Sequence, residues 1–205
     1  RGSSVLYHIC TLCYGDHADL ACRLFDTLLG SSLPPLGDII DLRIGLNEVS
    51  PTARSNIRIQ VEARHLPFPV YIFEEKQHRN VGKYPLMRRM MGGMDGPLMQ
   101  WFDDDSFVKS PQFWSDVAGI VAREFQSPDE PKVVGSIYNL RRMYEPEEVA
   151  AIREQPWYGG VKIDQPPPFC TGGWWMAAVD FLRKWDYPWR ALWHNRSEEH
   201  TSELQ

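Results

Sequence analysis

Three adjacent carboxylates, Asp103, Asp104 and Asp105, close the stretch QWFDDDSFV at residues 100–108, directly behind an apolar run. Two unit charges about 4 Å apart repel by about 1 kcal/mol in water and by several at a partly shielded site. A divalent cation reverses that cost. Successive side chains of a strand alternate, so on a persisting strand Asp103 and Asp105 share a side and Asp104 faces away. Hard carboxylate oxygens suit Mg²⁺ or Mn²⁺. Such an ion bridges to a diphosphate and stabilises the charge on a departing one. The same residues also fit a solvated turn that caps the helix starting near Ser110. Their place at the mouth of an apolar strand favours the metal.

The elements that must position these carboxylates alternate along the chain. Residues 4–14 (SVLYHICTLCY) are rich in strand formers. Asp16 caps a helix to about Leu29, with Ala21, Leu24, Phe25 and Leu28 on one face and Gly30 as the stop. Residues 38–46 and 68–73 read as strands. Ser50-Pro51 signals a helix start, yet Ile57, Ile59 and Val61 alternate like a strand, and both readings stand. Residues 80–91 are partly helical, and residues 97–102 form the strand ending at the aspartates.

Ser110-Pro111 opens the clearest helix, whose apolar stripe is Trp114, Val117, Ala118, Val121 and Phe125. A strand at 132–139 and a short helix at 145–155 follow. Gln165 to Phe169 (QPPPF) forms a rigid loop, and residues 174–185 an apolar helix. This alternation predicts an α/β protein, a Rossmann-like, mostly parallel sheet covered by helices. Ligands of such sheets bind outside the carboxyl ends of the strands, where Tyr14-Gly15-Asp16 and the aspartates fall.

The 205 residues, 43% hydrophobic and 24% charged, suit one soluble domain. No apolar run is long enough for a membrane span and residues 1–10 lack a signal-peptide pattern; a cytoplasmic location is the expectation. The chain starts at Arg1, so its true beginning is expected to be missing. A net charge of −5 argues against a nucleic-acid partner, and an anionic substrate then needs local Lys, Arg or metal. Cys10 and Cys13 spell CxxC. Three apart on a strand they point to opposite faces, poor geometry for one metal, and they read as reduced buried thiols. His8 reads as a satisfied core histidine, and Met87, Met90, Met91 and Met94 as gap-filling core.

The last ten residues, RSEEHTSELQ, match the translation of a common sequencing adapter residue for residue. They are read as adapter-derived and excluded from fold reasoning. The genuine segment is then a single domain over residues 1–195, cut at Asn195.

These features resemble the GT-A fold nucleotide-diphospho-sugar glycosyltransferases, of the inverting family 2 and fringe-like kind. The resemblance is carried by the apolar strand ending in Asp-Asp-Asp, by Gly172-Gly173-Trp174-Trp175 downstream, and by a first strand leading directly into a helix. It implies that Asp105 is the main ligand of Mn²⁺ or Mg²⁺, with Asp103 holding metal, ribose or donor sugar and Asp104 also on the nucleotide-sugar side. It implies that Thr11, Cys13 and Tyr14 line the base pocket and that Arg43, Gly45 and Asn47 form a nucleotide-side loop. Asn80, Gly82 and Lys83 would face the donor, and Gly172, Gly173 and Trp174 the acceptor. The implied donor is a UDP-sugar and the implied acceptor a glycan hydroxyl.

Inverting transfer needs a general base. In such enzymes it follows the Gly-Gly aromatic segment, so here the reading puts it beyond Asn195 and leaves the fragment inactive. Two alternatives compete: a nucleotidyltransferase-like phosphate-handling enzyme, although YGDHADLA is no Gly-rich phosphate loop, and a non-catalytic carbohydrate-binding or scaffold domain.

Overall fold

The run Tyr7–Tyr14 forms β1, the strand on which the remaining sheet is laid. A computed structural model of the chain describes residues 6–30, 38–75, 79–125, 133–139, 143–154, 163–164, 168–184 and 186–188. The elements follow in the order β1 (Tyr7–Tyr14), α1 (Ala18–Gly30), β2 (Ile39–Asn47), α2 (Pro51–Glu62), β3 (Val70–Glu74) and α3 (Lys83–Met91). Then come β4 (Leu98–Asp103), α4 (Phe113–Glu124), β5 (Val133–Asn139), α5 (Pro146–Arg153), β6 (Pro168–Ala178) and α6 (Val179–Lys184).

The strands lie in the order β3-β2-β1-β4-β6-β5. β3, β2, β1 and β4 are mutually parallel, while β6 runs antiparallel to both β4 and β5. β1 therefore has its successor β2 on one side and β4 on the other, a topological switch point. In register, Leu12 sits opposite Asp103 and Tyr14 opposite Asn47, so the carboxyl ends of β1, β2 and β4 meet at one edge.

β1, β2 and β4 are buried on both faces, as the middle of a helix-covered parallel sheet requires. On one face Ile9, Cys13, Leu42, Ile44, Leu46 and Phe102 pack against Leu24, Phe25 and Leu28 of α1, Ile57 of α2 and Trp114 of α4. On the other, Cys10, Met99, Trp101 and Trp175 pack against Leu86, Met87 and Met90 of α3 and Leu182 of α6. Cys10 and Cys13 thus lie on opposite faces and are free thiols. His8 is buried and satisfied, with Nδ1 2.8 Å from Asp41 Oδ1 and Nε2 accepting Gly96 N–H at 3.0 Å.

Two segments settle differently from, or more sharply than, the sequence reading. Residues 51–62 are helical: the Ser50 hydroxyl caps Ala53 N–H at 3.1 Å, and Ala53, Ile57 and Val61 are buried at i, i+4, i+8 while Ile59 is exposed. The expected helix at 174–185 is instead the end of β6, with helix only over α6. Trp174 pairs with Phe102 and Trp175 with Trp101, on opposite faces. A strand buried on both sides reads as a continuous apolar run, which periodicity does not separate from a buried helix. Of the expected QPPPF loop, Pro168 and Phe169 open β6, and residues 165–167 lie outside the described residues. So do residues 189–205, with the expected adapter-derived tail. No helix among the described residues is long and apolar enough to cross a membrane.

Candidate functional site

β4 stops at Asp103, and Ser106 N–H closes a turn onto the Asp103 carbonyl at 3.0 Å. The strand alternation expected for all three aspartates therefore ends with the first. Asp103 lies on the α3 face, and its Oδ1 accepts the Trp101 indole N–H at 2.9 Å and faces Lys83 Nζ at 3.1 Å. Lys83 Nζ also stands 5.7 Å from the Trp101 ring centroid. Asp104 turns toward β1, where Oδ2 accepts the Tyr14 backbone N–H at 3.2 Å. Burial, and then the charges of Asp105 and Asp103, push the Asp104 carboxyl up to about 6 against the opposing Tyr14 N–H. Asp105 is exposed, and its carbonyl accepts from Arg23 Nη2 at 3.0 Å.

The neighbouring wall comes from β2 and the start of α3. Asn47 Oδ1 accepts Val81 N–H at 2.9 Å and Asn47 Nδ2 donates to Asn80 Oδ1 at 3.0 Å. Asn80 Oδ1 also accepts Gly82 N–H at 2.8 Å. Gly82, the N-cap of α3, has φ +84°, a region that glycine enters without steric cost, and it supplies no side-chain cap. The first-turn N–H groups of α3 thus meet the site uncapped, with Lys83 beside them, a corner of positive potential. Tyr14 OH donates to Glu48 Oε2 at 3.2 Å, and Glu48 has φ 55°, rare for a non-glycine residue.

The structure thus gathers Tyr14, Asn47, Asn80, Gly82, Lys83, Asp103 and Asp104 at one edge, with Asp105 following in the same turn. Gly172 and Gly173 lie in β6, and Ser106 Oγ donates to the Gly173 carbonyl at 2.6 Å, tying the glycine pair to the acidic turn.

Four expected site residues stand apart. Arg43 is buried, with its guanidinium on Asp41 and on the carbonyls of Met90 and Gly92, away from the edge. Thr11 and Cys13 are buried on the α1 face, opposite Lys83, because residues of odd parity on β1 turn that way. Among the described residues Thr11 Oγ1 has no hydrogen-bond partner. Trp174 donates its indole N–H to Gln100 Oε1 at 3.1 Å and meets Phe113 edge-on at 5.7 Å.

Sequence reasoning missed Trp101, Arg23, Glu48 and Ser106. Trp101 had a legible signal, since it lies two residues before Asp103 and so shares its face. The others are brought in by turns whose geometry no local pattern announces.

Among the described residues no three His, Cys, Asp or Glu side chains gather as a complete ligand set. The donors present fit a different arrangement. Asp105 has an exposed carboxylate with no hydrogen bond or ion pair among the described residues, and both contacts of Asp103 fall on Oδ1. One or two carboxylates completed by substrate phosphates and water is how Mg²⁺-like ions are held in phosphate-handling sites.

The sheet order and the edge at its switch point define the GT-A fold of nucleotide-diphospho-sugar transferases. No family model matches the sequence, and no curated protein matches it. Among solved structures, the mannosyltransferase PcManGT from Pyrobaculum calidifontis, in complex with GDP-Man and Mn²⁺, aligns with a TM-score of 0.60 at 12% identity. The alignment covers 87% of this chain and 46% of that one, so the chain spans about half the length of the mannosyltransferase it matches. The 4-diphosphocytidyl-2C-methyl-D-erythritol synthase from Anaerococcus prevotii aligns with a TM-score of 0.52 at 7% identity, over 92% of this chain and 80% of that one. S. aureus TarS in complex with UDP-GlcNAc gives 0.47 at 12% identity, over 69% and 37%.

Proposed function

We propose that residues 1–195 are the nucleotide-sugar-binding part of a metal-dependent glycosyltransferase, probed best through its donor. The observation that carries this reading is the Lys83–Asp103–Trp101 cluster, set beside the Tyr14–Asp104 contact at the β1–β4 switch. Lys83 and the uncapped start of α3 offer positive charge to a diphosphate. Asp105, with Asp103 Oδ2, would hold Mn²⁺ or Mg²⁺. When bound, that ion neutralises the diphosphate and stabilises its negative charge as the sugar leaves. The packed Trp101 and Asn47 keep Asp103 and the loop at 80–82 in place. In this reading the Tyr14 ring and Glu48, joined by their hydrogen bond, flank the nucleobase.

The donor in this reading is a UDP-sugar and the acceptor a glycan hydroxyl, with transfer by inversion. Titration calorimetry with UDP and with GDP, each with Mn²⁺ and with chelator, tests it. Metal-dependent binding of either supports the reading, and UDP outbinding GDP supports the donor. Binding of neither nucleotide in Mn²⁺ overturns it. The synthase covered over four-fifths of its length favours a second reading, a nucleotidyltransferase; CTP binding tighter than UDP and GDP would select that reading.

A further inference from the structure

Three alternate positions of β2 on its α3 face, Arg43, Gly45 and Asn47, each meet a different part of α3 or of the loop that leads into it. At the far end, Arg43 Nη1 donates to the carbonyls of Met90 at 2.6 Å and Gly92 at 2.8 Å. Met90 supplies one of the last carbonyls of the helix, which have no partner within it, and Gly92 is the residue that caps its end. Arg43 is itself held by Asp41, through Nε at 3.1 Å and Nη2 at 3.0 Å. In the middle, a Cβ on Gly45 would stand 2.6 Å from Met90 Sδ and 3.2 Å from Leu86 Cδ2, so the missing side chain is what lets helix and strand approach. At the near end, the buried Asn47 uses its carbonyl on Val81 N–H and its amide on Asn80, whose oxygen also takes Gly82 N–H.

α3 has nine residues. A helix that short does not hold itself in water and takes its position from what it packs on. Its first residue is Lys83, and Lys83 Nζ reaches Asp103. We infer that the row Arg43-Gly45-Asn47 is a dock that sets the height and tilt of α3 and so places the Lys83 ammonium against Asp103. Asn47 is then a positioning residue and not a nucleotide ligand: its Oδ1 takes the Val81 backbone N–H and its Nδ2 is turned onto the Asn80 side chain. The inference rests on the reading above only where it assigns Lys83 to a diphosphate; the docking itself does not.

Two measurements test it. In the first, the protein without nucleotide is reductively methylated with ¹³C, and the Lys83 signal is assigned by its loss in Lys83→Arg. Asn47→Ala is expected to shift that signal toward the position of a solvated lysine. In the second, Asn47→Ala is combined with Lys83→Met in a double-mutant cycle on UDP binding with Mn²⁺. Asn47→Ala is expected to weaken binding about tenfold when Lys83 is present and to leave it unchanged in the Lys83→Met background.

The inference is overturned by an unmoved Lys83 signal, or by an equal loss of affinity in both backgrounds. Gly45→Ala presses on the flexible Met90 end and is a second, milder variant, with the same signature expected should Asn47→Ala not fold. If no nucleotide binds at all, the functional reading fails while the Lys83 signal still decides the docking.

Discussion

Lys83 Nζ stands 3.1 Å from Asp103 Oδ1, across a gap of twenty residues in sequence, and links the start of α3 to the end of β4. The lysine side chain is 44% exposed, so the pair contributes at most about 1 kcal/mol to stability. Its position matters more than its strength. Lys83→Met is therefore expected to leave the melting temperature nearly unchanged and to weaken Mn²⁺-dependent UDP binding about tenfold or more, the scale of a lost charge-assisted hydrogen bond. Lys83→Arg should keep part of the affinity. Thermal denaturation and calorimetry on the same preparations check both halves; a large loss of stability with unchanged binding would make the lysine a structural element.

Asp105 separates the metal from the rest of the site. Its carboxylate is exposed and makes no hydrogen bond or ion pair among the described residues. Asp105→Ala removes no partner from any buried group, so stability should change by less than about 0.5 kcal/mol. Under the proposed function it should abolish the difference between UDP binding in Mn²⁺ and in chelator. Persistence of that difference in the variant would move the metal ligand elsewhere in the turn.

The aspartates and the strand-helix order were legible because each rests on local signals: an apolar run, a cap, a Pro at the start of α2 or a Gly at the end of α1. What was not legible depends on parity and on distance in sequence. Thr11 and Cys13 were assigned to the base pocket by their place at the end of β1, but only Tyr14 combines that edge with the face on which Lys83 lies. The resemblance puts Arg43 in a nucleotide-side loop; besides Asp41 two residues away, its guanidinium is held by the carbonyls of Met90 and Gly92, 47 and 49 residues away. The resemblance puts Trp174 on the acceptor side, and no local pattern announces its hydrogen bond to Gln100, 74 residues away. The Asp-Asp-Asp geometry was half right, since the strand rule holds for Asp103 and a turn takes over at Asp104.

The two CxxC cysteines should be chemically silent in the folded protein. Burial pushes the Cys10 thiol far above its usual range, with Arg43 opposing and Asp41 adding to it. Burial, then Asp104 and Cys22, does the same for Cys13. The thiolate is the reactive form. Iodoacetamide at pH 8 is expected to leave the peptides of both residues unmodified in native protein and to label both in guanidinium, read by mass spectrometry. Native labelling at the rate of a free peptide thiol would contradict the burial of this strand.

The last test is of pH and concerns the buried Asp41. Burial alone would raise its carboxyl, but hydrogen bonds from His8 and Arg43, with the charge of Arg43, outweigh that and hold it below its ordinary value of 3.8. A carboxyl that binds its proton less readily in the folded state than in the unfolded one stabilises the fold when ionised. That contribution is complete above about pH 4 to 5 and is lost as pH falls through 3.8 toward the folded value. Asp41→Asn also leaves the buried Arg43 guanidinium without its counter-charge, a loss of about 3 kcal/mol or more. Urea unfolding should therefore show a wide gap between the wild type and Asp41→Asn at pH 7, and a narrower one at pH 3, where the wild-type carboxyl approaches protonation. A gap that stays constant over that range would mean that Asp41 acts by shape and hydrogen bonding alone, and that its charge adds nothing to the hold on Arg43.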